Sequence, residues 1–84
     1  MSYSVSILRR AQRELAQIHG KDYQRLLEAV RGLASEPRPV GCRKLTGREG
    51  WRIRVGDFRI LYEIDDAQRS VTILQIGNRR DVYR

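Results

Sequence analysis

The spacing of apolar residues along the chain predicts a short strand followed by two helices. Tyr3, Val5 and Ile7 alternate with serines, which is the two-residue period of a half-buried strand. Apolar residues then recur at spacings of three and four, which is typical of helices with one buried face. These positions are Leu8, Ala11, Leu15 and Ile18 in the first helix, and Tyr23, Leu26, Leu27, Val30, Leu33 and Ala34 in the second.

The helix boundaries are predicted from residues that stop or cap a helix. Gly20 is expected to end the first helix, and Asp22 to cap the start of the second. Pro37 and Pro39 are expected to end the second helix. His19 then lies near the C-terminus of the first helix, where a partly positive imidazole suits the helix dipole. The short glycine-containing turn predicts an antiparallel helical hairpin.

The second half of the chain has the two-residue period of strands. Residues 51–55 and 58–64 both alternate, and Gly56-Asp57 between them is typical of a two-residue hairpin turn. A turn is expected at 65–69, a last strand rich in β-branched residues at 70–76, and a short polar tail after it.

These elements predict an α+β fold in one domain, residues 1–84. It consists of an N-terminal strand, a two-helix hairpin and then a mostly antiparallel sheet of three to four strands. Helices packed on one face of the sheet would bury the apolar residues. The opposite face is then available for function.

The charge of the chain changes this picture by suggesting a ligand. Seventeen basic residues against ten acidic ones give a net charge of +7, and all the basic residues except Lys21 and Lys44 are arginines. Arginine presents a planar fork of donors that matches phosphate oxygens in pairs. The balance therefore favours phosphate recognition, although a biased codon usage with a solvated basic surface would give the same composition.

The hairpin turn places several arginines together. If Gly56 and Asp57 form the loop, Val55 lies opposite Phe58, Arg54 opposite Arg59 and Arg52 opposite Leu61, with the three arginines on one face of the sheet. Directly opposed like charges destabilise a sheet, so a bound anion would explain the pattern. A merely solvated face is the alternative. Arg79, Arg80 and Tyr83 follow the last strand and would extend the same site, with the Tyr83 ring able to stack on a base.

Other candidate residues favour structural roles. Trp51 and Tyr62 share the apolar face and are expected in the core. Cys42 has no nearby base and is interpreted as a packing residue. One cysteine and one histidine give neither a disulfide framework nor a metal site, and no cofactor is expected. No signal peptide or apolar run of membrane-spanning length is present, so the expected location is the cytoplasm, with no membrane partner.

The second half contains four motifs in a fixed order, which are Lys44-Leu45, Trp51-Arg52-Ile53-Arg54-Val55, Phe58-Arg59-Ile60-Leu61-Tyr62 and Ile76-Gly77-Asn78-Arg79-Arg80-Asp81-Val82-Tyr83. The order and spacing of these motifs resemble the RelE branch of the RelE/ParE toxin superfamily. The strand–helix–helix beginning agrees with the same family. The resemblance implies the toxin of a type II toxin–antitoxin module, a metal-independent endoribonuclease that cuts mRNA in the ribosomal A site. The 2′-hydroxyl attacks the scissile phosphate and leaves a 2′,3′-cyclic phosphate. A cognate antitoxin is the implied protein partner, and operator DNA is bound only through the antitoxin complex.

The resemblance also assigns site residues. Arg52 and Arg54 occupy positions where relatives carry lysines, one of them a proposed general base. Arg59 matches an arginine that stabilises charge on the phosphate, Arg79 a proposed general acid, and Tyr83 a tyrosine that stacks on the base. Additional RNA contacts, to mRNA or rRNA, are expected from Arg43, Lys44, Arg48 and Arg80.

One departure from the family affects the chemistry. Arginine is a poor base because its guanidinium has donors and no acceptor. Catalysis would therefore depend on positioning the 2′-hydroxyl and on stabilising the phosphorane charge, with a ribosomal group or Tyr83 accepting the proton. Two other functions stay open. One is a ParE-like inhibitor of DNA gyrase, and the other is a nucleic-acid-binding module with weakened or lost catalysis.

Overall fold

The computed structural model describes residues 2–78, and within this range it contains two helices and five strands. The strands are β1 (Ser4–Ile7), β2 (Arg43–Lys44), β3 (Trp51–Val55), β4 (Phe58–Asp65) and β5 (Ser70–Asn78). The helices are α1 (Arg9–Ala16) and α2 (Gly20–Ser35), and both follow β1 in the chain. The α+β class and the order of elements agree with the prediction, with four strands after the helices. In this part of the chain, no helix combines the length and apolar character needed to cross a membrane.

The strands form one mixed sheet in the order β1-β5-β4-β3-β2. β1 runs parallel to β5, whereas the other neighbouring strands are antiparallel. The helical hairpin leads from β1 to β2 at the opposite edge of the sheet, and the chain then returns through β3 and β4 to β5 beside β1. The last strand therefore lies inside the sheet, between β1 and β4, and a register shift between Leu61 and Tyr62 interrupts its pairing with β4.

The core lies between the helices and one face of the sheet, as the apolar pattern predicts. Its fully buried members come from α1, α2, β4 and β5, and they are Ala11, Leu26, Leu33, Ile60, Tyr62, Val71, Ile73 and Ile76. The hydroxyl of Tyr62 donates a 2.7 Å hydrogen bond to the carbonyl oxygen of Pro37, so its polar end is satisfied within the core. Burial raises the pKa of Tyr62 well above its ordinary value.

The helix boundaries differ from the prediction. α1 ends at Ala16 with Gln17 as its C-cap, so Gly20 does not end it; Gly20 opens α2 instead, with a φ of +67°. Asp22 lies in the first turn of α2, where a carboxylate favours the helix dipole, but it is not the cap. The N-cap of α2 is His19, without a side-chain capping bond, so the predicted role of His19 at the end of α1 is wrong.

Two other side chains predicted for structural roles lie at the margin of the core. Trp51 is half-buried against the core cluster, and the guanidinium of Arg38 lies 5.1 Å from the centre of its ring, within range of a cation–π contact. Cys42 is also half-buried against the same cluster, in agreement with a packing residue.

A polar cluster fastens the start of β1 to the turn between β4 and β5. Arg38 donates two hydrogen bonds to the carboxylate of Asp66, and the hydroxyl of Tyr3 donates a third at 2.7 Å. These bonds from Arg38 and Tyr3 lower the pKa of Asp66. The cluster ties three distant parts of the chain together on the surface.

Candidate nucleic-acid interface

The hairpin register confirms the predicted placement of the arginines. Val55 pairs with Phe58, Arg54 with Arg59, and Arg52 with Leu61. Side chains alternate along a strand, so the three arginines project from the face of the sheet that the helices leave uncovered.

A further arginine joins this face through the short strand β2. Arg43 pairs directly with Arg52, which places the two side chains on the same side of the sheet. We call the side chains of Arg43, Arg52, Arg54 and Arg59 the arginine face. Arg43 and Arg54 are exposed, whereas Arg52 and Arg59 are half-buried. The arginine face therefore combines two solvent-exposed guanidinium groups with two that are partly shielded from solvent.

The half-buried position of Arg59 follows from its neighbours in the sheet. It lies between Arg54 on β3 and Gly77 on β5, and its Nε atom is shielded from solvent. Removal from water strengthens the interaction of a guanidinium with an anion, because the local dielectric constant is lower. Arg59 is therefore the member of the arginine face best placed to hold a phosphate firmly.

The same face of the sheet carries negative charge at its other end. Glu63 and Asp65 follow Arg59 and Leu61 on alternate positions of β4, and Glu63 pairs with Thr72 and Asp65 with Ser70. Both carboxylates are exposed. A polyanion would be attracted to the β2–β3 end of this face and repelled from the β1 end.

A small apolar cluster separates these two regions. Leu45 and Leu61 are both buried against each other on this side of the sheet, away from the main core. The N–H of Leu45 donates a 2.9 Å hydrogen bond to the carbonyl oxygen of Gly50, which joins the two ends of the loop 46–50. The cluster fixes the loop that carries Arg48.

The remaining residues predicted to bind RNA are distributed differently. Lys44 pairs with Trp51, so it projects from the opposite side of the sheet to Arg43. Arg48 is exposed in the loop between β2 and β3. Arg79, Arg80 and Tyr83 lie outside the described residues, so their predicted roles stay predictions.

Two features of the site were not part of the sequence prediction. The first is the direct pairing of Arg43 with Arg52, which depends on a strand of two residues. The second is a groove of about 540 Å³ at the edge of the arginine face, whose other wall comes from α2 and the segment Pro39–Gly41. The signals that pointed to them were the basic pair Arg43-Lys44 and a glycine inside the second helical pattern, Gly32.

Comparison with known proteins gives the family. The family model described as the ParE toxin of the type II toxin–antitoxin system, parDE, matches residues 5–83. The chain is 35% identical to Toxin RelG of Mycobacterium tuberculosis, over 100% of this chain and 99% of that protein. It is 34% identical to Toxin RelE of the same organism, over 98% of this chain and 87% of that protein.

A solved structure agrees with these sequence relatives. The archaeal RelE–RelB complex from Pyrococcus horikoshii OT3 matches with a TM-score of 0.84 and 28% identity, over 98% of this chain and 100% of that chain. The predicted resemblance is thereby confirmed. The chain belongs to the RelE/ParE family of toxins of type II toxin–antitoxin systems.

Proposed function

We propose that this toxin is an mRNA endoribonuclease that acts in the ribosomal A site and so inhibits translation. The observation that carries the proposal is the arginine face, in which Arg54 and Arg59 oppose each other across two neighbouring strands. The arrangement destabilises the isolated fold and becomes favourable when a phosphate lies between the two guanidinium groups. The relatives named RelE and RelG support the same branch of the family.

The proposed chemistry is attack of a ribose 2′-hydroxyl on the adjacent phosphate. The 2′-oxygen forms a bond to phosphorus as the bond to the 5′-oxygen breaks, which leaves a 2′,3′-cyclic phosphate and a 5′-hydroxyl. Guanidinium groups from the arginine face stabilise the extra negative charge on the phosphorane, with Arg59 as the most sheltered donor. This positive charge replaces a metal ion in the proposal.

The reaction also needs one group that accepts the proton of the 2′-hydroxyl and another that donates a proton to the leaving 5′-oxygen. The guanidinium groups of Arg52 and Arg54 present only donors, so neither accepts the proton of the 2′-hydroxyl. We assign that role to Tyr83 or to a ribosomal group, and the protonation of the leaving oxygen to Arg79. Arg43, Lys44, Arg48 and Arg80 are proposed to contact the backbone of mRNA or rRNA.

The proposal includes a protein partner and a location. A cognate antitoxin binds the toxin and restrains its activity, and the complex contacts operator DNA through the antitoxin. The solved complex of RelE with RelB supports such a partner. The target of the reaction, mRNA on the ribosome, places the active protein in the cytoplasm.

Primer extension on programmed ribosomes tests the proposal. Wild-type protein is expected to cut a defined mRNA in the A site, and only when ribosomes are added. Arg59→Ala is expected to abolish the cuts, because it removes the sheltered phosphate donor. Arg31→Ala is the matched control, since it removes the same charge from an exposed position of α2.

Two results would contradict the proposal. Arrest of growth without any mRNA cuts, accompanied by DNA damage that depends on gyrase, would favour the ParE-like function. Equal cutting by wild type and Arg59→Ala would show that the arginine face is not the catalytic site.

A further inference from the structure

One edge of the sheet lacks the protection that the other edge has. β1 is the outer strand at its edge, and within residues 2–78 it pairs only with β5. Natural sheets protect such edges with charged residues, proline or very short strands. β2 at the opposite edge follows this rule, because it has two residues and both are basic. β1, with the sequence Ser-Val-Ser-Ile, carries neither charge nor proline.

The backbone groups of β1 alternate in direction. The N–H groups of Ser4 and Leu8 donate hydrogen bonds to the carbonyl oxygens of Arg69 and Ile73, which lie on the β5 side. The even-numbered residues of the strand therefore bond to β5, as the parallel register requires. The odd-numbered residues turn their N–H and C=O groups to the outer side of the sheet.

This outer side is closed at Tyr3 and open beyond it. The Tyr3 N–H donates a 2.7 Å hydrogen bond to the carbonyl oxygen of Ala34, which places the end of α2 beside the start of the strand. The Ile7 carbonyl oxygen accepts a 2.7 Å hydrogen bond from the side-chain amide of Gln12, which leaves its second lone pair available. No residue of the described chain bonds to the N–H and C=O groups of Val5 or to the N–H of Ile7. The open part of the edge is therefore residues 5–7.

The open groups are complementary to those of a second copy of the same strand. In an antiparallel pair with Ser6 opposite Ser6 of the second copy, Val5 exchanges two hydrogen bonds with Ile7 of that copy, and Ile7 exchanges two with its Val5. All the open groups are then satisfied, and the closed end at Tyr3 lies beyond the paired residues. The arrangement has two-fold symmetry, which is the commonest symmetry of homodimers.

The ends of both helices carry charges that the same pairing would compensate. Arg9 and Arg10 begin α1, and its first turn has no acidic residue, although a cation is unfavourable at the N-terminus of a helix. α2 has no basic residue in its last turn, and Glu36 follows as its C-cap. The pairing places Arg9 of one copy opposite Tyr3 of the other, beside the end of α2 and Glu36. Each copy therefore supplies a guanidinium group to a helix end that lacks one.

The net charge of +7 opposes this contact only weakly. With a spacing of about 4.8 Å between neighbouring strands, the two β3 strands of the joined sheet lie about 34 Å apart. This distance is several times the Debye length of about 8 Å at physiological ionic strength, so the two arginine faces are screened from each other. Both arginine faces lie on the same side of the joined sheet, and both stay uncovered.

We propose that β1 is a self-association surface, through which two copies of this chain pair antiparallel across Ser6 into a continuous sheet of ten strands. The paired segment is short, so the dimer belongs to the class of weak, reversible interfaces. The partner is a second copy because one register satisfies the open backbone groups and the helix-end charges of both sides at once.

Sedimentation equilibrium and hydrogen exchange of the full chain test the proposal. The mean mass is expected to rise from that of one chain toward twice that mass as the concentration increases from micromolar to millimolar. The amides of Val5 and Ile7 are expected to exchange more slowly at the higher concentration. The Ser6 amide is the internal reference, because it bonds to β5 in the single chain and should not change.

A charge swap at Ser6 tests the register. Ser6→Lys and Ser6→Glu each place like charges directly opposite each other across the two-fold axis, so each alone should raise the dissociation constant by about fivefold or more. An equimolar mixture of the two is expected to restore association, because lysine then faces glutamate. Circular dichroism should show the wild-type fold for both variants, since Ser6 is exposed. Gln24→Lys and Gln24→Glu, at an exposed position of α2, are the matched controls and should associate like wild type.

Several results would overturn the self-association surface. They are the mass of one chain at every concentration, unchanged exchange at Val5 and Ile7 in a sample that associates, wild-type association of both Ser6 variants, or no recovery in their mixture. Slow exchange at these amides that appears only with an added peptide of alternating valine and threonine would assign the edge to foreign strands, and would also refute pairing between copies.

Discussion

Replacing Arg54 by threonine tests whether the arginine face lowers the stability of the fold while it serves the function. Arg54 is exposed on β3 and directly opposite Arg59. Because Arg54 turns its backbone groups away from β4, the two residues form a non-hydrogen-bonded pair, in which the Cα atoms lie only about 4.5 Å apart. Threonine removes the charge and has a side chain that suits a strand. We expect Arg54→Thr to be more stable than wild type and defective in RNA cleavage.

Coulomb's law gives the order of magnitude of the effect. Two like unit charges separated by about 7 Å repel each other by about 0.6 kcal/mol in water and about 2.4 kcal/mol at an effective dielectric constant near 20. The exposure of Arg54 favours the lower value. Threonine should therefore raise the free energy of unfolding by about 0.5–1 kcal/mol at low salt, which corresponds to a rise of roughly 2–8 °C in the midpoint of a domain this small.

Urea unfolding at two salt concentrations measures this effect. The gain should fall to less than half at about 0.5 M salt, because charges 7 Å apart are then screened. Arg54→Lys is the matched control, since it keeps the charge and should unfold like wild type. A less stable Arg54→Thr protein, or a gain that does not change with salt, would refute the reasoning.

Three other substitutions test the supports of the site. Gly50→Ala should lower the free energy of unfolding by about 2 kcal/mol, because the φ of +125° is strained for alanine and the Cβ atom would lie 3.1 Å from a backbone carbonyl oxygen of β4. Gly47→Ala is the control, because its Cβ atom would meet nothing within 4 Å, and urea unfolding should show a smaller loss of stability. Glu14→Ala should lower the free energy of unfolding by about 2 kcal/mol and speed hydrogen exchange at the amide of Ile76, because the Ile76 N–H donates a 2.8 Å hydrogen bond to the Glu14 carboxylate. Unchanged hydrogen exchange at Ile76 would contradict this contact. Because the pKa of Asp66 is lowered in the folded state, its carboxylate contributes stability that is fully present above the ordinary pKa of 3.8 and is lost as the pH falls through the lowered pKa. Asp66→Asn should therefore flatten the acid side of a curve of stability against pH. An unchanged curve would contradict the role of the cluster.

The hairpin that builds the site was predictable from the sequence. Gly56-Asp57 sets a two-residue loop, and such a loop leaves one register for the strands on either side. The opposition of Arg54 and Arg59 follows directly from that register. Local chemistry therefore determines the central pair of the arginine face.

The groove and the outer part of the arginine face depend on contacts between distant residues. β2 has two residues, too few for a periodic pattern, so the pairing of Arg43 with Arg52 was not predicted. Similarly, the helical pattern of α2 predicts which of its residues are buried, but it does not predict which strand edge lies beside the partly exposed residues. Gly32 was visible in the sequence, but its position over the edge of β3 was not.

The helix boundaries were wrong for a different reason. Gly20 has the left-handed φ that was expected of a residue at a helix end, but it lies at the start of α2. A glycine marks the change of direction between two helices without showing which helix it belongs to. The acidic Asp22 then occupies the first turn, where its effect on the dipole resembles that of a cap.

The central claim is that the arginine face binds RNA phosphates, and the salt dependence of binding tests it most directly. The ligand is a 2′-O-methyl oligonucleotide, which the toxin cannot cleave, and its affinity is measured over a range of salt concentrations. Each phosphate contact contributes about −0.7 to the slope of log affinity against log salt for a single strand. The slope should become less steep by about that amount in Arg59→Ala and remain unchanged in Arg31→Ala. Equal slopes for wild type and Arg59→Ala would contradict the account.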